Sequence, residues 1–328
     1  MKYLRLPVLL TASVIFFSCK KNDCGRHHNE QDSVLTVAKI IPLNSLTSSG
    51  PKKILFDAKH AETAGNADWV IDEDNSTPQR IPTPLQSNIS ASTSETYWTG
   101  ALSSWGISLV KLGLNVETLP SSGTITYGNT TNAQDLTHYD VFVVDEPNTR
   151  FSTSEKTAIM NFVKNGGGLF MISDHTNSDR NNDGWDSPAI WNDLMTSNSV
   201  TANPFGFKID LTNISGTTTN VTTATNSIIT GSQGNVTSLK FSNGATISLT
   251  SGGTAQGLIW QSGYTRSLTH VMAASSTFGT GRVVVVADSS PADDGTGAAN
   301  NTLYPGWTDL SGNHARLHLN ATLWLAKL

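Results

Sequence analysis

Apolar residues in this chain gather into short unbroken blocks, and most of those blocks end on an acid. Ile54-Leu55-Phe56 leads into Asp57, Val141 to Val144 into Asp145, Leu169 to Ile172 into Ser173-Asp174, and Val283 to Ala287 into Asp288. Blocks without alternation predict strands covered on both faces, the usual condition of a parallel sheet. A further strand is expected at Leu114 to Leu119. Between the blocks the period changes. Trp98, Ala101, Leu102, Trp105, Leu109 and Leu112 recur at helical spacing, with Gly113 placed to end the helix. Ser152 and Glu155 form a capping-box pattern ahead of Ala158, Ile159, Phe162 and Val163, and Gly166-Gly167-Gly168 breaks that helix. Helices are also predicted at about 188–196 and from about Asn313, the last burying Leu317, Ala321, Trp324 and Leu325. Residues 200–280 differ: they are dense in Thr, Ser, Asn and Gly, with short alternating runs at 238–241 and 245–249 that predict β-ribbon or meander.

Strands alternating with helices make an α/β fold: a mainly parallel sheet flanked by helices, with a β-rich insertion at about 200–280. Ligands bind such sheets outside the carboxyl ends of the strands. Parallel strands would carry Asp57, Asp145, Asp174 and Asp288 to one edge, which is the main reason to expect a site there.

Composition narrows the picture. Of 328 residues, 37% are hydrophobic and 14% charged, enough apolar material for 51–328 to form a single domain. The net charge is −5 and no Lys/Arg-rich patch is present, so nucleic-acid binding through phosphate neutralisation has no support. No P-loop or dinucleotide fingerprint is present, so no nucleotide cofactor is expected. At the N-terminus, Lys2 and Arg5 precede an apolar run from Leu6 to Phe17, followed by Ser18-Cys19. This is the layout of a secretory signal and is short for a membrane span. Phe16-Phe17-Ser18-Cys19-Lys20-Lys21 resembles the lipoboxes of Bacteroidetes lipoproteins. That resemblance implies a signal peptide over 1–18, lipidation at Cys19, a flexible tether over 19–50, and anchoring to the bacterial outer membrane in the cell envelope. Only Cys24 then remains as a thiol, which excludes an intrachain disulfide and a Cys-based zinc site.

The stretch from Phe162 through Gly166-Gly167-Gly168 to Ile172 looks like the helix, glycine turn and strand of the class I glutamine amidotransferase-like superfamily, whose sheet is flavodoxin-like. Gly281 to Asp288 followed by Asn313 to Leu325 resembles the closing strand and helix of its GIFT-type and ThuA-like branches. The resemblance covers roughly 53–328. Amidotransferases carry a nucleophilic Cys just after the fourth strand; Ser173-Asp174-His175 stands there instead, so glutamine hydrolysis is not expected. ThuA-like members often have a His near this point, which His175 matches, but their activities vary and the fold does not supply the function.

The candidate residues fall into three groups. Asp174 and His175 pair a carboxylate with an imidazole at a strand end, suited to general acid–base work or to ligating a metal. With Asp57, His60, Glu62 and Asp145 they form the expected catalytic set. Asn66, Asp68, Trp69, Trp185, Asp288 and His314 are expected around the substrate, with Trp69, Trp185 and Trp307 as stacking surfaces for sugar rings. Asp179-Arg180-Asn181-Asn182-Asp183-Gly184 fits the first half of a calcium loop. With Asp186 it would hold Ca²⁺ or another divalent cation, although Ile190 replaces the closing Glu of an EF-hand. The same residues also favour a turn that binds nothing. The leading expectation is a lipid-anchored extracytoplasmic hydrolase acting on a carbohydrate or similar polar substrate. A metal-dependent phosphoesterase or nuclease and a noncatalytic glycan-binding lipoprotein stay open.

Overall fold

The computed structural model describes residues 50–73 and 78–328; the expected signal peptide, Cys19 and most of the tether lie outside them. In chain order the elements are β1 (Lys53–Asp57), α1 (Ser103–Lys111), β2 (Asn115–Leu119), β3 (Val141–Asp145), α2 (Thr153–Lys164), β4 (Gly168–Ile172) and α3 (Ser187–Thr196). Then come β5 (Phe207–Ile209), β6 (Ile214–Thr218), β7 (Thr230–Gly231), β8 (Gly234–Asn235), β9 (Leu239–Gly244), β10 (Ile247–Leu249), β11 (Gln256–Trp260) and β12 (Val271–Phe278). β13 (Gly281–Val286) and α4 (His314–Leu325) close the fold. Among the described residues no helix is long and apolar enough to cross a membrane.

The acid-ended blocks are neighbouring strands. The main sheet runs β2-β1-β3-β4-β13 in parallel, and then continues through antiparallel β12 to β10 and β5, with β11 also on β12. The crossovers β1–α1–β2 and β3–α2–β4 move in opposite directions along the sheet, so right-handed connections put α1 and α2 on opposite faces. Phe56, Val143, Phe170 and Val284 stand side by side in register. Trp105 of α1 meets Phe56 and Phe170 edge-on at 5.2 and 4.9 Å, and His318 of α4 stacks on Phe170 at 5.5 Å. Unbroken apolar strands are therefore the signature of a sheet sandwiched between helices.

Local signals account for the boundaries. Ser152 Oγ accepts from Glu155 N–H while the Glu155 side chain accepts from Ser152 N–H, which completes the capping box. Gly166, at φ +118°, lets the chain leave α2 and turn straight into β4. A Cβ on Gly281 would lie 1.9 Å from the Val163 carbonyl, so β13 starts there only because that residue has no side chain. The structure differs from expectation in two places. α1 begins at Ser103; Trp98 and Ala101 are buried in the turns before it. The 200–280 insertion is only partly separate: β5, β10, β11 and β12 extend the main sheet, and only β6–β9 and β7–β8 form two-stranded ribbons.

Candidate functional site

The strand order reverses at β1, which has β2 on one side and β3 on the other, and the crevice beyond their carboxyl ends is where such sheets bind ligands. β1 ends on Asp57 and β3 on Asp145. The loop after β1 folds back to bring in His60 and Glu62. Possible ligand atoms of Asp57, His60 and Glu62 all lie within 4.8 Å of one another. Asp57 Oδ2 bonds His60 Nδ1, and Asp57 Oδ1 accepts from Lys59 N–H at 3.0 Å. His60 Nε2 lies 3.6 Å from Glu155 Oε2, and its ring packs on Phe151 at 4.2 Å. Burial alone would depress the imidazole, but Asp57 and Glu155 outweigh it and raise His60 to about 9. Glu155 falls to about 2 despite burial, because His60 and the Ser152 N–H favour its charged form.

Glu62 and Asp145 have no such partners. They are 0% and 1% exposed, and none of their four carboxylate oxygens accepts a hydrogen bond. Burial, then Asp57 and Asp145, push Glu62 far above the carboxylate range. Burial, then Glu146, Asp288 and Asp293, do the same to Asp145, while Arg180 pulls back from a distance.

A second group lies beside the β4 end. Glu146 follows β3 at φ +47°, an uncommon conformation for this residue type, and is fully buried. Arg180 donates to it twice, Nε to Oε1 at 2.5 Å and Nη2 to Oε2 at 3.2 Å, and also to Asp174 Oδ2 at 3.3 Å and Asn66 Oδ1 at 3.1 Å. Ser289 Oγ donates to Glu146 Oε2 at 2.9 Å. Asp174 is buried; burial first, then Glu146 and Asp288, raise it well above the usual range, against the pull of Arg180. His175 is half-buried. Its Nδ1 bonds the Thr176 carbonyl at 2.6 Å, which leaves Nε2 4.0 Å from Asp174 Oδ2.

At the β13 end the acids are wired to backbone. Asp288 accepts from Ser290 N–H at 2.8 Å and Ser242 N–H at 2.5 Å; burial outweighs these bonds and raises it to about 7. Asp293 accepts from Gly295 and Tyr304, and Asp294 from Thr296 and from Ser104 in the first turn of α1. The Asp288 carboxylate thus orders the loops of this end and is not placed to contact a substrate. Asp68 also ties loops together, accepting from Ala298 N–H at 3.0 Å; burial and then Glu73 raise it to about 9.

Other expected residues are placed elsewhere or used otherwise. His314 Nδ1 donates to the Gly306 carbonyl at 2.6 Å and Nε2 accepts from Lys240 N–H at 3.0 Å, so both nitrogens hold loops. Trp69 and Trp307 are buried, 1% and 5% exposed, and offer no stacking face. Trp185 is half-buried with Arg150 over its ring at 3.7 Å. Asn66 is exposed and serves Arg180 and Thr302. In the expected calcium loop, the carboxylates accept backbone N–H groups. Asp179 takes those of Asp183 and Gly184, Asp183 that of Trp185, and Asp186 those of Asn177 and Ala189 as the N-cap of α3. Asn181 Oδ1 accepts from Asp183 N–H, and its amide donates to the Asn148 carbonyl. These are turn and cap geometries; among the described residues the grouped ligand atoms belong to Asp57, His60 and Glu62 instead.

Arg180, Ser289 and Tyr304 are not among the residues singled out from sequence. Arg180 occupies a non-ligand position of the calcium pattern. Tyr304 lines an open cavity of about 160 Å³ with Lys240, Ser242, Ser290, Pro305, Gly306, Asp309 and His314. Its hydroxyl is raised by burial, and it feels Arg180 as well as Asp174, Glu146 and Asp288, which puts the cavity beside the acid edge.

No family model matches the chain, and no curated protein matches it. Solved structures do. The N-terminal domain of mmIFT52 is 12% identical, covering 84% of this chain and 97% of its own, with a TM-score of 0.47. A cytoplasmic protein from Salmonella typhimurium LT2 is 16% identical over 84% of this chain and 97% of its own, with a TM-score of 0.43. A ThuA-like protein from Bacteroides uniformis is 11% identical over 86% and 95%, with a TM-score of 0.42. Function has to be argued from the side chains.

Proposed function

We propose that the protein is a hydrolase of a carbohydrate or similar hydroxyl-rich substrate, with Asp174 as general acid and His175 as general base. The observation that carries this reading is their meeting at the half-open rim: the Asp174 carboxyl, raised well above its usual range by burial, lies 4.0 Å from His175 Nε2. A carboxyl and an imidazole within reach of one another are what acid–base catalysis needs. His175 Nε2 takes a proton from water as the oxygen attacks the carbon of the scissile C–O bond. Asp174 gives its proton to the departing oxygen, and the proton on His175 then returns to Asp174. Arg180 holds Asp174 in place, while burial and Glu146 keep its carboxyl raised. The neighbouring cavity offers Ser242, Ser290, Tyr304, Lys240 and Asp309, side chains that hydrogen-bond hydroxyls.

A panel of chromogenic glycosides and sugar esters tests the reading. Asp174→Asn and His175→Gln should each lower kcat about 10²–10⁴-fold with the fold intact. Unchanged turnover in both variants would end the assignment. A metal-dependent phosphoesterase is the second reading, favoured by the unpartnered oxygens of Glu62 and Asp145; phosphodiesters with and without chelator belong in the same panel. The glycan-binding reading keeps only Trp185 of its three Trp residues, because Trp69 and Trp307 are buried. Anchoring to the envelope through lipidated Cys19 is part of the proposal, and loss of membrane fractionation in Cys19→Ser is its check.

A further inference from the structure

We propose that one hard divalent cation occupies the switch-point crevice, held by carboxylate oxygens of Asp57 and Glu62, with Asp145 at the end of the neighbouring strand adding negative charge. The argument starts from what those oxygens lack. Glu62 and Asp145 are buried at the meeting of two strand ends, and all four of their oxygens are without a hydrogen-bond donor. Buried polar atoms are nearly always satisfied, and an orphaned one calls for an ion, a water or a proton.

The basic groups near the crevice already have partners. Arg180 spends its N–H groups on Glu146, Asp174, Asn66 and the Asn148 side chain, the last through its backbone N–H. Lys59 faces Glu155 at 3.8 Å. His60 has one nitrogen on Asp57 and the other toward Glu155, so it orients Asp57 and is not itself free to ligate. This is the supporting role that carboxylate-bonded histidines play around metal sites.

The size also fits. Donor atoms on opposite sides of a Mg²⁺, Mn²⁺ or Ca²⁺ ion sit about 4–5 Å apart, twice a metal–oxygen distance of roughly 2.0–2.6 Å. The atoms of Asp57 and Glu62 fall within a 4.8 Å group. An all-carboxylate set selects hard cations over zinc or copper. The adjoining Asp174–His175 rim would let a bound cation polarise the same substrate. That purpose rests on the hydrolase reading, but the site itself does not, because binding is measured without turnover.

The test uses chelator-stripped protein, MnCl₂ and CaCl₂ alone, calorimetry, bound-metal analysis and thermal unfolding. One equivalent of cation should bind and raise Tm. Glu62→Gln and Asp145→Asn should each weaken binding at least tenfold, while Asp183→Asn in the turn loop should leave it unchanged. Failure of the stripped wild type to take up either ion overturns the site and leaves a shared proton between Asp57 and Glu62. Loss of binding in Asp183→Asn with retention in Glu62→Gln overturns it in favour of the loop. Cation binding without any hydrolysis would sustain the site and remove the proposed activity.

Discussion

The two ends of the acid edge use the same residue type in opposite ways. At the β13 end, Asp288, Asp293 and Asp294 each accept two backbone N–H groups, and the loops over the sheet hang from them. At the β1 and β3 ends, Glu62 and Asp145 are as deeply buried and accept none. Strand-end position therefore does not make an acid functional; the absence of internal partners does. A satisfied buried carboxylate has its structural role visible in its bonds. An unsatisfied one costs stability unless a ligand, ion or proton answers it.

The sharpest way to break this contrast is Arg180, whose guanidinium serves the edge directly. Arg180→Met leaves Glu146 buried without its charge partner and should cost about 3–5 kcal/mol in chemical denaturation. A loss under about 1 kcal/mol would mean that the Glu146 carboxylate is not held by that pair. Asp288→Ala should come next, at about 2–4 kcal/mol, since it orphans the Ser242 and Ser290 N–H groups. If it proved neutral, the wired end would not be structural.

The third effect is read from pH in metal-free protein. Asp288 and Asp293 are raised from 3.8 to about 7, so between those values the folded state binds more protons and stability falls as pH rises. His60 is raised from 6.5 to about 9; its contribution is complete below 6.5 and is lost as pH climbs to about 9. Glu155 is lowered from 4.5 to about 2, so its contribution is present above 4.5 and lost on acidification toward about 2. Stability should thus peak near pH 4–5 and decline toward about pH 9, and His60→Gln should lessen the decline above pH 6.5 without abolishing it, since Asp68 is also raised to about 9. A profile flat from pH 5 to 9 would contradict both the wired and the unwired assignments.

Much of this was legible in sequence. Apolar blocks such as Val141–Val144 and caps such as Ser152 with Glu155 are local signals, and a parallel sheet then brings Asp57, Asp145, Asp174 and Asp288 to one edge without further information. What failed depends on direction and distance. Asp179, Asp183 and Asp186 have calcium-loop spacing, but spacing does not say whether an oxygen faces outward or back onto its own N–H groups. Trp69 lies in a loop, yet it packs with Ala67, Ala101 and Tyr304 in a small core of its own. Arg180 finds Glu146 across 34 residues, and the positive φ of Glu146 leaves no mark in composition.

The central claim is that the crevice acids lack internal compensation, and Glu62→Gln tests it most directly. In chelator at pH 7.5, the variant should be at least as stable as wild type in urea denaturation, because an amide replaces a buried carboxyl that has no partner to lose. A loss of about 3 kcal/mol or more would show that Glu62 is internally held after all, and the contrast between the two ends would fall.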